Sequence, residues 1–230
     1  MTISISRYHI ATSLALLFHV IGITGILLGN KDFFISTTPI NLLLMFGLLV
    51  WTQPSMNIFF CIFLLACFVT GIGVEIIGVN TSMLFGDYDY GKSLGPQFMH
   101  VPWIIGVNWF IIIYCSGISV YTLLMRIIGG APVTEVPATR TLKALSVIVD
   151  GATIAFIFDW IMEPVAVKLN YWQWKGDGTI PLYNYLCWFV VSALLLCVFH
   201  FCKFEKRNKF AVNLLLIQLM FFLLLRTFMN

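Results

Sequence analysis

The sequence predicts an all-α polytopic membrane protein, a bundle of about seven transmembrane helices with six as the lower count. Three observations carry this. The chain is 60% hydrophobic and 10% charged, with a mean hydropathy of +0.95, values that belong to integral membrane proteins. Apolar runs near the ~20 residues needed to cross a bilayer recur along the whole length. The basic residues fall mainly between those runs, which leaves no nucleic-acid footprint.

The first run, Tyr8–Leu28, follows Arg7 and could pass for a signal peptide. It is long, ends in Leu28-Gly29-Asn30 rather than at a small-residue cleavage site, and is followed by further runs, so it is expected to be the first span. Thr38–Trp51 is short, and 52–57 ties it closely to the next run, which suggests a tilted or half-span helix. Ile58–Val79, Val101–Met125, Leu142–Val165, Leu182–Cys202 and Phe210–Phe228 complete the set. Residues 1–230 are expected to form a single integral membrane domain. Six cysteines lie scattered in apolar runs without CxxC spacing and read as small core hydrophobes.

The positive-inside rule orients the spans. With seven, one side holds Arg7, Arg126, Arg140, Lys143, Lys203, Lys206, Arg207 and Lys209, and the other holds Lys31, Lys92, Lys168, Lys175 and Arg226. The Lys203–Lys209 cluster is therefore expected on the cytoplasmic side of the cell (inner) membrane. Loops 80–100 and 168–181 are expected to face away from it.

Acids inside the spans point to function. Asp159 and Glu163 lie one helical turn apart, on one face of the fifth run. A carboxylate near the bilayer centre costs about 2.5–3.5 kcal/mol on insertion scales, so such acids usually have a task. Glu75 sits near the outer end of the third run, at a depth comparable with Asp159 and Glu163 at ~1.5 Å of rise per residue. Asp150 lies nearer the other end, on roughly the opposite face from Asp159, and is not grouped with them. Arg226, near the outer end of the last span, is a candidate ion-pair partner for one acid but cannot neutralise three.

The loops that follow these helices are aromatic. The first holds Asp87, Tyr88, Asp89 and Tyr90, and the second Tyr171, Trp172 and Trp174. Each leads to a proline six residues short of a Trp-Phe pair: Pro102 with Trp109-Phe110, and Pro181 with Trp188-Phe189. The echo marks either a duplicated helix–loop–helix unit or a coincidence of residues that favour interfaces. A desolvated carboxylic acid can deliver a proton. Aromatic faces can stabilise a cation by ~2 kcal/mol or more when dry. Together these are what proton addition to an isolated carbon–carbon double bond needs. No lysine stands mid-span in the last run to anchor a Schiff base, the four histidines lack helical spacing for a haem pair, and phosphate-binding loops are absent. Water chemistry without a cofactor or metal fits best.

Two stretches resemble one family. Glu75 to Pro96, with Phe85-Gly86-Asp87-Tyr88-Asp89-Tyr90 at its centre, followed by Val101-Pro102 and Asn108-Trp109, is similar to the membrane-bound carotenoid 1,2-hydratases. So is Asp159 through Glu163-Pro164-Val165-Ala166, with Tyr171-Trp172-Gln173-Trp174, Ile180-Pro181 and Asn184-Tyr185. The family includes hydratases of lycopene, γ-carotene and bisanhydrobacterioruberin, alike over most of the chain. The resemblance implies addition of water to the terminal C1=C2 bond of an acyclic (ψ) carotenoid end, giving a tertiary alcohol. Under it, Asp159 and Glu75 share the acid and base roles, with Glu163 third. Tyr88, Tyr90, Trp109, Tyr171, Trp172 and Trp174 contact the substrate, and Asp87 admits or orients water. The implied partners are a carotenoid of the lycopene or γ-carotene type, water, membrane lipid and other enzymes of the same pathway.

Ser82 stands where the family pattern leads one to expect glycine, and His100 is unusual beside Val101-Pro102, as an interface histidine or a proton relay. Two other function classes compete: a small proton-coupled transporter, which intramembrane acids suit equally, and a non-catalytic carotenoid-binding scaffold.

Overall fold

The computed structural model describes residues 6–128 and 137–229. Arg140 lies outside the residues whose side chains are described. Among the described residues six helices are long and apolar enough to cross a membrane: α1 (Arg7–Leu28), α4 (Ile58–Thr81), α5 (Ile104–Ile128), α6 (Pro137–Lys168), α7 (Leu182–Phe201) and α8 (Lys209–Phe228). Between α1 and α4 lie a short helix, α2 (Lys31–Ser36), and the 15-residue α3 (Thr38–Thr52). The result is the multi-pass helical architecture read from the sequence.

Despite its length, α3 runs from one end of the bundle to the other. The Trp51 carbonyl accepts from Arg7 Nη1 at 3.3 Å, beside the start of α1. At the opposite end Thr38 Oγ1 is bonded to Tyr171 OH at 2.6 Å. A polar cluster anchors its last turn. Gln53 Oε1 accepts from Tyr114 of α5, Gln53 Nε2 donates to the Glu205 carbonyl at 3.0 Å, and Asn208 Nδ2 donates to Tyr114 OH at 3.1 Å and to Thr52 Oγ1 at 3.2 Å. Asn208 also caps α8, as Asn30 and Asn57 cap α2 and α4. The loops after α4 and α6 emerge at the same end, where short strands in them pair.

Each of α4 and α6 has one inward stripe, and the acids continue it. On α4 the buried residues Phe60, Phe63, Cys67 and Gly71 lead at helical spacing to Glu75, while Ile58, Ile62, Leu65 and Val69 face outward. On α6, Ala155, Phe158 and Met162 flank Asp159 and Glu163 in the same way. Pro164 interrupts α6 one residue after Glu163. Having no N–H, it leaves the Trp160 carbonyl without its intrahelical donor. Arg226 Nη1 supplies that bond at 3.0 Å, and its guanidinium lies 4.6 Å from the centre of the Trp160 ring. Arg226 therefore serves a backbone carbonyl rather than one of the acids for which it was a candidate partner. Asp150 is exposed and bonded by Ser146, apart from the other three acids.

The two aromatic loops are not independent. β1 (Tyr88–Tyr90) in the first pairs antiparallel with β4 (Trp172–Trp174) in the second, Tyr88 opposite Trp174 and Tyr90 opposite Trp172. Backbone bonds from Gly91 to Tyr171 at 2.8 Å and from Lys175 to Asp87 at 2.9 Å extend the ladder at both ends. A second small hairpin, β2 (Gln97–Phe98) with β3 (Val101–Pro102), precedes α5. Ser82, which ends α4, has φ +55°, a left-handed conformation that glycine adopts without strain. This is the physical reason to expect glycine there.

Candidate active site

Side chains alternate across a strand, so one face of the β1–β4 ribbon carries Tyr88, Tyr90, Trp172 and Trp174, and the other carries Asp89 and Gln173. The aromatic face points into the bundle, and each ring brings a polar tip. Tyr88 OH and Tyr90 OH donate to Glu75 Oε2 at 2.5 and 2.7 Å. Trp172 Nε1 and Trp174 Nε1 donate to Glu163 Oε2 at 3.0 and 3.2 Å. Each strand thus serves one carboxyl group. Burial and then the neighbouring Glu75 push both phenols well above their usual range, so they remain protonated donors.

The helices beneath complete the pair. Trp109 Nε1 of α5 donates to Glu75 Oε1 at 3.0 Å, and Asn184 Nδ2 of α7 donates to Glu163 Oε1 at 3.3 Å. Trp109 and Trp188 stack with centroids 3.9 Å apart and planes within 8°. These are the two tryptophans of the proline-spaced sequence echo. Glu75 and Glu163 are 4% and 3% exposed and line one cavity, with Met162 and Asn108 among its walls. The space open to the centre of a water-sized sphere is about 20 Å³, roughly what one water needs. Two buried carboxyl groups therefore face a site for a single water under an aromatic roof.

Other expected residues fall around this cavity. Asp159 is fully buried one turn along α6 and receives Asn184 Nδ2 at 2.9 Å on Oδ2, while its Oδ1 has no partner among the described residues. It reaches the cavity through Asn184, which it shares with Glu163. Tyr171 packs beside Trp172 but turns its hydroxyl to Thr38, and burial pushes that phenol up to about 12. Asp87 lies on the outer side of the roof, 54% exposed and 3.0 Å from Lys175 Nζ. His100 is exposed, and its Nδ1 lies 3.0 Å from Asn80 Oδ1.

Residues 39–230 match the family model described as carotenoid biosynthesis protein. The chain belongs to that family. The matched stretch contains every residue of the cavity and leaves out α1 and α2. Over 141 residues the chain is 26% identical to bisanhydrobacterioruberin hydratase of Haloarcula japonica, an alignment that covers 60% of this chain and 44% of that protein. It spans less than half the length of that relative. No solved structure matches the chain.

Within this carotenoid biosynthesis protein, Asn184 and Trp188 are cavity residues to which the sequence reading gave no role. Both stood in view. Asn184 is part of the second family-like stretch, and Trp188 is the partner of Trp109 in the repeated spacing. The missing signal was three-dimensional, because helical periodicity shows which face is inward but not which inward residues meet across helices.

Proposed function

We propose that this carotenoid biosynthesis protein is a carotenoid 1,2-hydratase, working as one membrane domain with Lys203–Lys209 on the cytoplasmic side. The observation that carries the reading is the pair of buried carboxyl groups, Glu75 and Glu163, facing one water-sized cavity under four aromatic donors. The hydratase relative and the apolar, membrane-embedded setting agree with it.

The substrate is an acyclic carotenoid end of the lycopene or γ-carotene type. A carboxylic acid of the cluster donates its proton to C2, and the electron pair of the C1=C2 bond forms the new C–H bond. The tertiary cation left at C1 is stabilised by the faces of Tyr88, Tyr90, Trp172 and Trp174. Water adds to C1 as a carboxylate of the cluster takes its proton, and transfer of that proton back to the first acid closes the cycle. Glu75 and Glu163 are the groups in contact with substrate, with Asp159 behind them as the third acid. The addition requires only a proton donor, a proton acceptor and water. Because the cavity holds about one water, binding the isoprenoid end requires the aromatic roof to move.

Incubation of the purified protein with an acyclic carotenoid in D2O enriched in oxygen-18 tests this. One deuterium at C2 and one labelled oxygen at C1 are expected in the product. A labelled product in which the oxygen derives from dioxygen would overturn the mechanism.

A further inference from the structure

A second cavity, of about 300 Å³, opens at the end of the bundle away from the acids, between the ends of α5, α6 and α7. Lys143 and Lys206 both line it, with His200, Tyr121 and Phe199 around them. The ammonium of Lys143 lies 4.9 Å from the centre of the Tyr121 ring and 3.4 Å from the Met125 sulfur. Lys206 caps the last turn of α7 through the carbonyls of Cys202 and His200, and lies over the rings of Phe204 and Phe199. Among the described residues neither ammonium has a carboxylate partner, and the nearby Glu205 is bound by Arg207 at 2.8 Å. Two like charges thus line a half-buried hollow whose described lining holds no carboxylate. Burial and the Lys143 charge hold Lys206 below the usual lysine range.

We propose that this cavity binds the anionic headgroup of a phospholipid. Its depth fits. Lys143 precedes the far end of α6, Lys168, by 25 residues, about 37 Å of helix at ~1.5 Å per residue, so it lies beyond the ~30 Å hydrocarbon layer. Two exposed apolar side chains flank the cavity: Met125 of α5, against Lys143, and Phe201 of α7, against the His200 ring, 42% and 72% exposed. An acyl chain can lie against them while the phosphate meets the lysines. These apolar neighbours favour a lipid over a free phosphate, and basic pockets between spanning helices are suited to such headgroups.

The test uses the full chain in phosphatidylcholine nanodiscs, with phosphatidylglycerol of the same acyl chains as the anionic probe and inorganic phosphate as the soluble one. Phosphatidylglycerol is expected to raise Tm by about 2–4 °C over phosphatidylcholine and to remain bound in native mass spectrometry. Lys143→Gln should abolish both effects, while Lys203→Gln with Lys209→Gln, exposed charges of the same end, should keep them. Any of three results overturns the proposal: equal response to the two lipids, equal loss in the Lys203/Lys209 pair, or full reproduction by inorganic phosphate.

Discussion

Asn184 donates to two carboxyl groups at once, and this fixes the way its amide faces. Asp159 Oδ2 and Glu163 Oε1 both accept from Nδ2, at 2.9 and 3.3 Å. The amide carbonyl is left over, in a residue that lines the water-sized cavity. In the proposed reaction that oxygen orients the water that captures the cation. Asn184→Leu keeps the branched shape and removes the acceptor, together with the donor to both carboxyl groups. It should lower hydrated product by about 100-fold while the recovered substrate still gains deuterium from D2O, because an uncaptured cation returns to alkene by losing a proton. Equal loss of exchange and hydration would assign Asn184 a structural role instead. The carboxyl groups were legible in the sequence because charge inside an apolar run is conspicuous. Asn184 was less so, since a lone amide at the start of a span resembles any interface residue. The role of Arg226 was not legible for a related reason: position alone made it a candidate partner for an acid, and the carbonyl freed by Pro164 shows only in the fold.

At the scale of elements, the site depends on close approach of α4 and α5. A Cβ built on Gly71 would lie 2.6 Å from Trp109 Cγ, whereas one on Gly73 would meet nothing within 4 Å. Gly71 is thus what lets Trp109 lie against α4 and reach Glu75 one turn further on. Gly71→Ala should cost about 1–3 kcal/mol through overpacking and displace Trp109 from Glu75 and from its stack on Trp188. Gly73→Ala should be neutral or slightly stabilising. Thermal unfolding with tryptophan near-UV circular dichroism separates the two, and equal behaviour would contradict the packing argument. The helices themselves were readable from length and periodicity. The ribbon was not, because β1 and β4 are three residues each and lie more than 80 residues apart in sequence. Alternation within Tyr88-Asp89-Tyr90 and Trp172-Gln173-Trp174 is visible, but pairing across such a separation leaves no local trace.

For the whole molecule, the sequence indicated a polytopic bundle with acids gathered at one end, and the fold agrees. The second span was the uncertain element, since its length alone could not say whether it crosses. The contacts of Arg7 with Trp51 and of Thr38 with Tyr171 set its ends beside the start of α1 and the second aromatic loop. One spanning helix, α7, separates the aromatic ribbon from the Lys203–Lys209 loop and would set them on opposite sides whether or not α3 crosses. Sidedness reporters inserted after Gln173 and after Lys203 should therefore read out opposite compartments, with the second cytoplasmic, and the same compartment for both would break the topology. The central claim is that a buried pair of carboxyl groups adds water to a carotenoid end. It is tested most directly by pigment analysis of cells that accumulate lycopene or γ-carotene and express this chain, beside Glu75→Gln, Glu163→Gln and Asp159→Asn. The account predicts a pigment heavier by one water with the unaltered chain, lost with Glu75→Gln and Glu163→Gln and strongly reduced with Asp159→Asn. Unchanged pigment from membrane-inserted, folded protein on both substrates, or full conversion by the Glu75→Gln and Glu163→Gln variants, would contradict it.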